Sequence, residues 1–186
     1  MATIGLKYLV AAKSTESATA STFADGFVIG KAIKADFSIE SNDTKLYADD
    51  AVAESDRSFK NGKITLGVDN LTDTVLCSLL GHTQDETSSE VTSKSSDVAP
   101  YVGVGFYATK LVNNKKTFRA IWLQKVQFGE PNESVETKGE TVAFQTPTIE
   151  GTIMVDVASI WKVEKTFDTE ADAKSWLDEK ARITAA

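Results

Sequence analysis

Tyr101-Val102-Gly103-Val104-Gly105-Phe106-Tyr107-Ala108 is the stretch that decides the fold. Val102, Val104, Phe106 and Ala108 fall on one face, and Tyr101, Gly103, Gly105 and Tyr107 on the other. A period of two is the mark of a β-strand. Gly103-Val104-Gly105 lies inside that strand rather than ahead of a helix, so it is not a dinucleotide-binding turn. Two strand glycines on one face instead let another backbone or a large ring approach the sheet. Asn113-Asn114 then turns the chain into residues 117–129, giving a long antiparallel hairpin. Within its second strand, Ala120-Ile121-Trp122-Leu123 is apolar on both faces. Either the fold covers both sides, or one side waits for another chain.

The same period extends outward. Ile33, Ala35, Phe37 and Ile39 alternate with Lys34, Asp36, Ser38 and Glu40. Ile64, Leu66 and Val68 repeat the pattern after Asn61-Gly62, a hairpin-type turn signal. Val142, Phe144, Ile149, Gly151 and Ile153 mark further strand material. Two helices interrupt. One is predicted from about Leu71 to Leu80, capped by Asp69 or Asn70 and closed by Gly81, with Leu71, Val75, Leu76, Leu79 and Leu80 as its apolar stripe. The other spans about 169–182 and opens at Thr169-Glu170-Ala171-Asp172, which resembles a capping box with Asp in the fourth place. Ala173, Trp176 and Leu177 form its core side; Asp178, Glu179 and Lys180 stay wet. Lys13–Asp25 and the Ser/Thr-rich 82–99 have loop composition. The connection 42–61 is long enough to be functional, a hairpin of its own, or disordered. The expected architecture is mainly β with one or two helices, one domain over 1–186.

With 186 residues, 41% hydrophobic and 25% charged, the chain has ordinary globular composition. Its longest apolar run, Tyr8–Ala12, is far short of the roughly 20 residues of a membrane span. Met1-Ala2-Thr3-Ile4 is neither basic nor followed by an apolar run, so the reading expects no secretory signal and no membrane insertion. The net charge is −7 and the pI near 4.8, and the densest basic clusters, Lys115-Lys116 with Arg119 and Lys180 with Arg182, read as solvated turn or helix residues rather than the basic face that wrapping nucleic acid needs. Cys77 is alone, so no intramolecular disulfide forms, and one His with one Cys cannot build an N/S zinc site.

Catalytic signatures are weak. Gly26-Phe27-Val28-Ile29-Gly30-Lys31-Ala32 is one residue short of a phosphate-binding loop and ends in Ala. His82, the only histidine, follows a helix-ending glycine, where an imidazolium suits the helix dipole. Cys77 reads as a small core hydrophobe. Paired acids could be drawn from Asp49, Asp50, Glu54 or Glu130, but among 27 acids such pairs arise by chance. The reading is therefore not an enzyme, with no cofactor and no metal.

Several stretches together carry a resemblance. They are Leu46-Tyr47-Ala48-Asp49-Asp50-Ala51-Val52-Ala53-Glu54, Gly62-Lys63-Ile64-Thr65-Leu66-Gly67-Val68-Asp69, Tyr101–Tyr107, Arg119–Leu123, Lys138-Gly139-Glu140, Phe144–Gly151 and Thr166-Phe167-Asp168-Thr169-Glu170. In order and spacing the chain resembles the major tail protein of long-tailed, non-contractile bacteriophages of Gram-positive hosts. The resemblance implies an antiparallel β-sandwich or barrel of the tail tube type, related to the inner tube of type VI secretion. It implies hexameric rings stacked into a hollow conduit for DNA, made in the host bacterial cytoplasm and placed in the virion tail. The implied partners are further copies of itself, a tape-measure protein, tail tip and tail terminator proteins, and DNA passing non-specifically through the lumen. Ring stacking would fall on 42–61, centred on Leu46, Tyr47, Ala48, Asp49, Asp50, Ala51, Val52, Ala53 and Glu54, with Ile121 and Leu123 as further interface candidates. Two places depart from the family pattern: the Ser/Thr-rich 83–99, and Val157-Ala158-Ser159-Ile160, which is more apolar than a turn before Trp161 should be. The competing readings are a stand-alone β-sandwich binding or adhesion module with 42–61 and 83–99 as ligand loops, and a small hydrolase using Asp49 and Asp50.

Overall fold

Val102–Val112 and Lys115–Phe128 pair antiparallel, with Ile121 opposite Phe106 and Trp122 opposite Gly105. The computed structural model describes residues 2–48, 51–85, 87–112, 115–131 and 146–183. The first half of the chain forms β1 (Ala2–Glu16), β2 (Ser21–Gly30), β3 (Ala32–Ser41), β4 (Thr44–Ala48), β5 (Ala51–Asp56), β6 (Phe59–Val68) and helix α1 (Asp73–Leu80). The second half forms β7 (Thr83–Gln84), β8 (Val91–Thr92), β9 (Val102–Val112), β10 (Lys115–Phe128), β11 (Thr148–Met154), β12 (Lys162–Phe167) and helix α2 (Glu170–Ala181). The architecture is mainly antiparallel β with two helices.

The main sheet runs β2-β1-β9-β10-β11-β6-β3, and β12 also pairs with β10. One edge of β10 serves both partners in succession: β12 lies opposite residues 118–123 and β11 opposite 125–128. There the sheet divides. β2-β1-β9-β10-β12 continue as one layer, while β11-β6-β3 turn away and pack face to face with it. Phe37 of β3 lies 6.4 Å from Phe106 of β9, ring centre to ring centre. Between the layers sit Leu9, Ile64, Leu66, Val68, Val104, Phe106, Ile121, Leu123, Ile149 and Ile153, with Val75, Leu79 and Leu80 of α1. On the other side of the first layer, Ala173, Leu177 and Ala181 of α2 close over Val10, Ala12, Ala120, Tyr107 and Trp122. Ala173 and Ala181 flank Leu177 at i, i+4, i+8 spacing on one helix face, and the two alanines let the helix lie close to the layer.

The glycine reading of β9 holds. A Cβ on Gly103 would overlap the Trp122 ring, and one on Gly105 would sit 2.6 Å from Trp122 Cε3. Gly81 closes α1 in the left-handed region at φ 81°, and the Thr169 hydroxyl caps α2 by accepting from the Asp172 N–H.

Other expectations are corrected. Asn61-Gly62 makes no turn but lies inside β6, where Ile39 crowds Gly62; the reversal occurs further out, at β4–β5. Lys13–Asp25 is not a loop: its hydroxyl-bearing residues fit β1 and β2, joined at the turn where Ser17 bonds Ala20. Helix α1 starts at Asp73 with Thr72 as cap, because the Asp69 carboxylate instead accepts from the Lys31 and Asn70 N–H groups. A register shift after Ala32 turns Ile33 outward, 53% exposed, so Ala32 packs with Ala35, Phe37 and Ile39 in its place. Asp178 does not stay wet; it is half-buried under Tyr8. The 82–99 stretch contains the short β7–β8 hairpin. The Asn113-Asn114 turn and the Val142 and Phe144 strand lie outside the described residues.

Candidate assembly surfaces

The 42–61 connection is a hairpin. Thr44 pairs with Asp56, Leu46 with Glu54, Tyr47 with Val52 and Ala48 with Ala51, with a register shift between Leu46 and Tyr47. Its base is tied by the Asn42 N–H to the Ser58 carbonyl at 2.9 Å, by Asn42 Nδ2 to Ser58 Oγ at 2.9 Å, and by the Asp56 carboxylate accepting from Ser58. Beyond that base β4 and β5 pair only with each other among the described residues, as a two-stranded sheet separate from the main one. At about 3.4 Å per residue such an arm reaches roughly 15–20 Å. Glu54 is exposed. Asp49 and Asp50 lie outside the described residues.

Ile121 and Leu123 are corrected as interface candidates. Ile121 is 3% exposed and Leu123 not at all, both inside the interlayer core. The strand is apolar on both faces because both faces are covered within the chain: Ile121 and Leu123 by the second layer, Ala120 and Trp122 by α2.

Three edges of the main sheet carry no neighbouring strand among the described residues: β2, β3 and β12. Among the described residues no helix covers the outer face of β3-β6-β11, which carries Lys34, Asp36, Ser38, Glu40, Lys63, Glu150 and Thr152, all exposed. Both lysines there are paired, Lys34 with Asp36 and Lys63 with Glu150 at 2.7 Å. Lys60, also in β6, is exposed and has no ion pair among the described residues.

Helix α2 is held to the first layer by a bulge the alternation could not reveal. Between the Lys7–Tyr107 and Val10–Gly105 pairs, two residues of β1 (Tyr8 and Leu9) lie opposite one of β9 (Phe106), and Tyr8 takes φ 62°. The extra residue puts Lys7 and Tyr8 on the helix side together. Tyr8 donates to Asp178 Oδ1 at 2.5 Å, and Tyr107 donates to Glu170 Oε1 at 2.5 Å, an oxygen shared with Lys7 Nζ at 2.9 Å. Burial, and then the carboxylate each phenol serves, push both phenols above the ordinary range; the Tyr107 and Lys7 bonds hold the Glu170 carboxyl below its own.

His82 follows the glycine that ends α1, and the structure makes it a junction rather than only a dipole-suited terminus. Its ring is 7% exposed, with Nδ1 3.0 Å from Asp97 Oδ2 and Nε2 2.8 Å from Glu130 Oε1. The bond to Asp97 raises its pKa against the opposing effect of burial. It ties the end of α1 to the segment after β8 and to the segment after β10. No spacing rule could have found this, since its partners are 15 and 48 residues away. Cys77 is half-buried, its thiol pushed up chiefly by burial. Glu54 and Glu130 lie on different segments, and Glu130 is occupied by the imidazole.

No protein-family model matches this chain, and no curated protein matches it. Among the described residues no helix is long and apolar enough to cross a membrane.

Proposed function

We propose that this chain is the structural subunit of a bacteriophage tail tube, joining edge to edge in hexameric rings that stack into a conduit for DNA. The observation that carries the reading is a hairpin arm on a two-layer β fold that, among the described residues, pairs with no other strand, beside sheet edges without a neighbouring strand and a polar sheet face without a helix over it. Unpaired strand edges are templates for another chain, and a closed ring satisfies them without open-ended aggregation. The β4–β5 arm supplies the reach for a second contact along the axis, between rings. The polar outer face of β3-β6-β11 suits the lumen: Lys34 and Lys63 are paired to carboxylates and the chain is net acidic, which disfavours a grip on phosphate. On this reading, the finer architecture is the tail tube type related to the type VI inner tube. The partners are further copies, the tape-measure, tip and terminator proteins, and transiting DNA, with no catalytic role.

Negative-stain electron microscopy of concentrated protein tests the reading, with hollow rings or tubes of uniform width as the expected outcome. Deletion of residues 46–53 should leave the β-rich circular dichroism spectrum unchanged and abolish stacking. Tubes that still form without the arm would remove it from the stacking contact. A monodisperse monomer that no tail-tip component converts to rings would favour a stand-alone binding module.

A further inference from the structure

The chain leaves β10 beside the end of α1, and a cleft of about 370 Å³ lies between them. Leu76 and Leu80 of α1 and Val91 of β8 line one side, Glu130 and Pro131 the other. His82 bridges the two sides. Its Nε2 lies 2.8 Å from Glu130 Oε1, while Nδ1 lies 3.0 Å from Asp97 Oδ2 on the segment after β8.

The two bonds are not equal. The Asp97 side chain is 13% exposed, and the oxygen that meets His82 also accepts from the Lys94 N–H at 2.8 Å. The Asp97 N–H returns to the Lys94 carbonyl at 3.0 Å, so this carboxylate is built into its own turn. The Glu130 side chain is 69% exposed, and the imidazole is its polar partner among the described residues. Just before it, the Gly129 N–H donates to the Glu150 carbonyl at 2.9 Å, which anchors the chain up to that point. The other charged groups around the cluster, among the described residues, are Asp73 on the cleft wall and Lys94 beside Asp97.

Both partners of His82 accept, so holding both requires the imidazolium. A neutral ring keeps one N–H. Depriving the shielded Asp97 of it costs more than depriving Glu130, whose carboxylate water solvates. The remaining N–H therefore belongs at Nδ1, toward Asp97. The lone pair then left on Nε2 faces a carboxylate oxygen at 2.8 Å, and the two repel.

We propose that His82 is a proton-operated latch on this cleft. Protonated, it holds Glu130 and Pro131 against the end of α1. Neutral, it keeps Asp97, releases Glu130 and opens the cleft onto Leu76, Leu80 and Val91. The sandwich itself need not rearrange, because Gly129 stays bonded to Glu150 and Asp97 to its turn. The chain has one histidine, so no second imidazole titrates in the same range. The latch lies within one copy and does not depend on the ring reading.

The test is nuclear magnetic resonance of the full chain between about pH 5.5 and about pH 9, in solution or, for assembled protein, in the solid state. The single histidine gives one ring titration. Below its midpoint the His82 ring should show contacts to the side chains of both Asp97 and Glu130. Above it, the contact to Glu130 should be lost and that to Asp97 kept. Glu130→Gln, at an exposed position, should fold normally and weaken proton binding at His82 about fivefold, the upper end for an exposed pair. Its amide accepts from a protonated ring and donates to a neutral one, so the contact at 130 should then persist on both sides of the midpoint. In the wild type, loss of both contacts together, loss of Asp97 alone, or retention of both overturns the latch. A midpoint that Glu130→Gln leaves unmoved overturns it as well.

Discussion

His82 places one ring nitrogen 3.0 Å from Asp97 and the other 2.8 Å from Glu130, and both partners are acceptors. A neutral imidazole carries one N–H, so satisfying both demands the imidazolium. The folded-state pKa is raised. The stabilising contribution is therefore complete below the unfolded value of about 6.5 and is lost as pH rises through the higher folded value. Asp97 is shifted the opposite way, held low first by the Lys94 N–H and then by His82, so its contribution is lost only as pH falls below the carboxylate range. The Tm advantage of the wild type over His82→Gln should thus shrink by a few degrees between about pH 6 and about pH 9. An advantage that does not change with pH would mean the histidine is neutral in the fold. Gly105 carries a different constraint. A Cβ there would meet the rigid indole and Leu177 Cδ2, at 2.6 and 2.8 Å, so neither wall can withdraw freely. Gly105→Ala is expected to cost about 1–3 kcal/mol, read from the urea midpoint; a smaller cost would show that α2 gives way.

At the scale of elements, α2 depends on a narrow apolar stripe and two phenol–carboxylate bonds. Leu177 is fully buried against Trp122 and its neighbours. Leu177→Ala should cost about 2–4 kcal/mol by cavity formation, with the equilibrium unfolding curve as the measure. A loss below about 1 kcal/mol would mean the helix docks mainly through Tyr8 and Tyr107. The bulge at Tyr8 is the element-level device that makes those bonds possible. It escaped the periodicity because an alternating pattern cannot show where a strand gains a residue. The same limit applies at Ile33, which a register shift turns outward although the sequence places it in step with Ala35 and Phe37.

For the whole molecule, the pairings that define the fold are remote in sequence. Ala2 lies opposite Leu111, and Gly62 opposite Ile153. Closing such long loops before the contacts reward it slows folding, so refolding from urea, followed by tryptophan fluorescence, should fall in the millisecond-to-second range. Microsecond refolding would mean that the β9–β10 hairpin and the helices form a structure sufficient to bury the indoles before β1 is placed.

What the sequence determined by itself is local. The period of two along 101–108 dictates a strand, Gly103 and Gly105 dictate a close approach, and Gly81 and Thr169 dictate helix ends, because each depends on neighbours within a few residues. The tertiary structure alone decided which chain segment fills each face. Ile121 and Leu123 could have met a second copy or a second layer with the same residues; burial by β3, β6 and β11 gave them the layer. His82 likewise gained its partners only when three distant segments converged. The open edges and the polar outer face are properties of strand order and register. Those follow from the balance of long-range burial against chain entropy, which no short window of sequence contains.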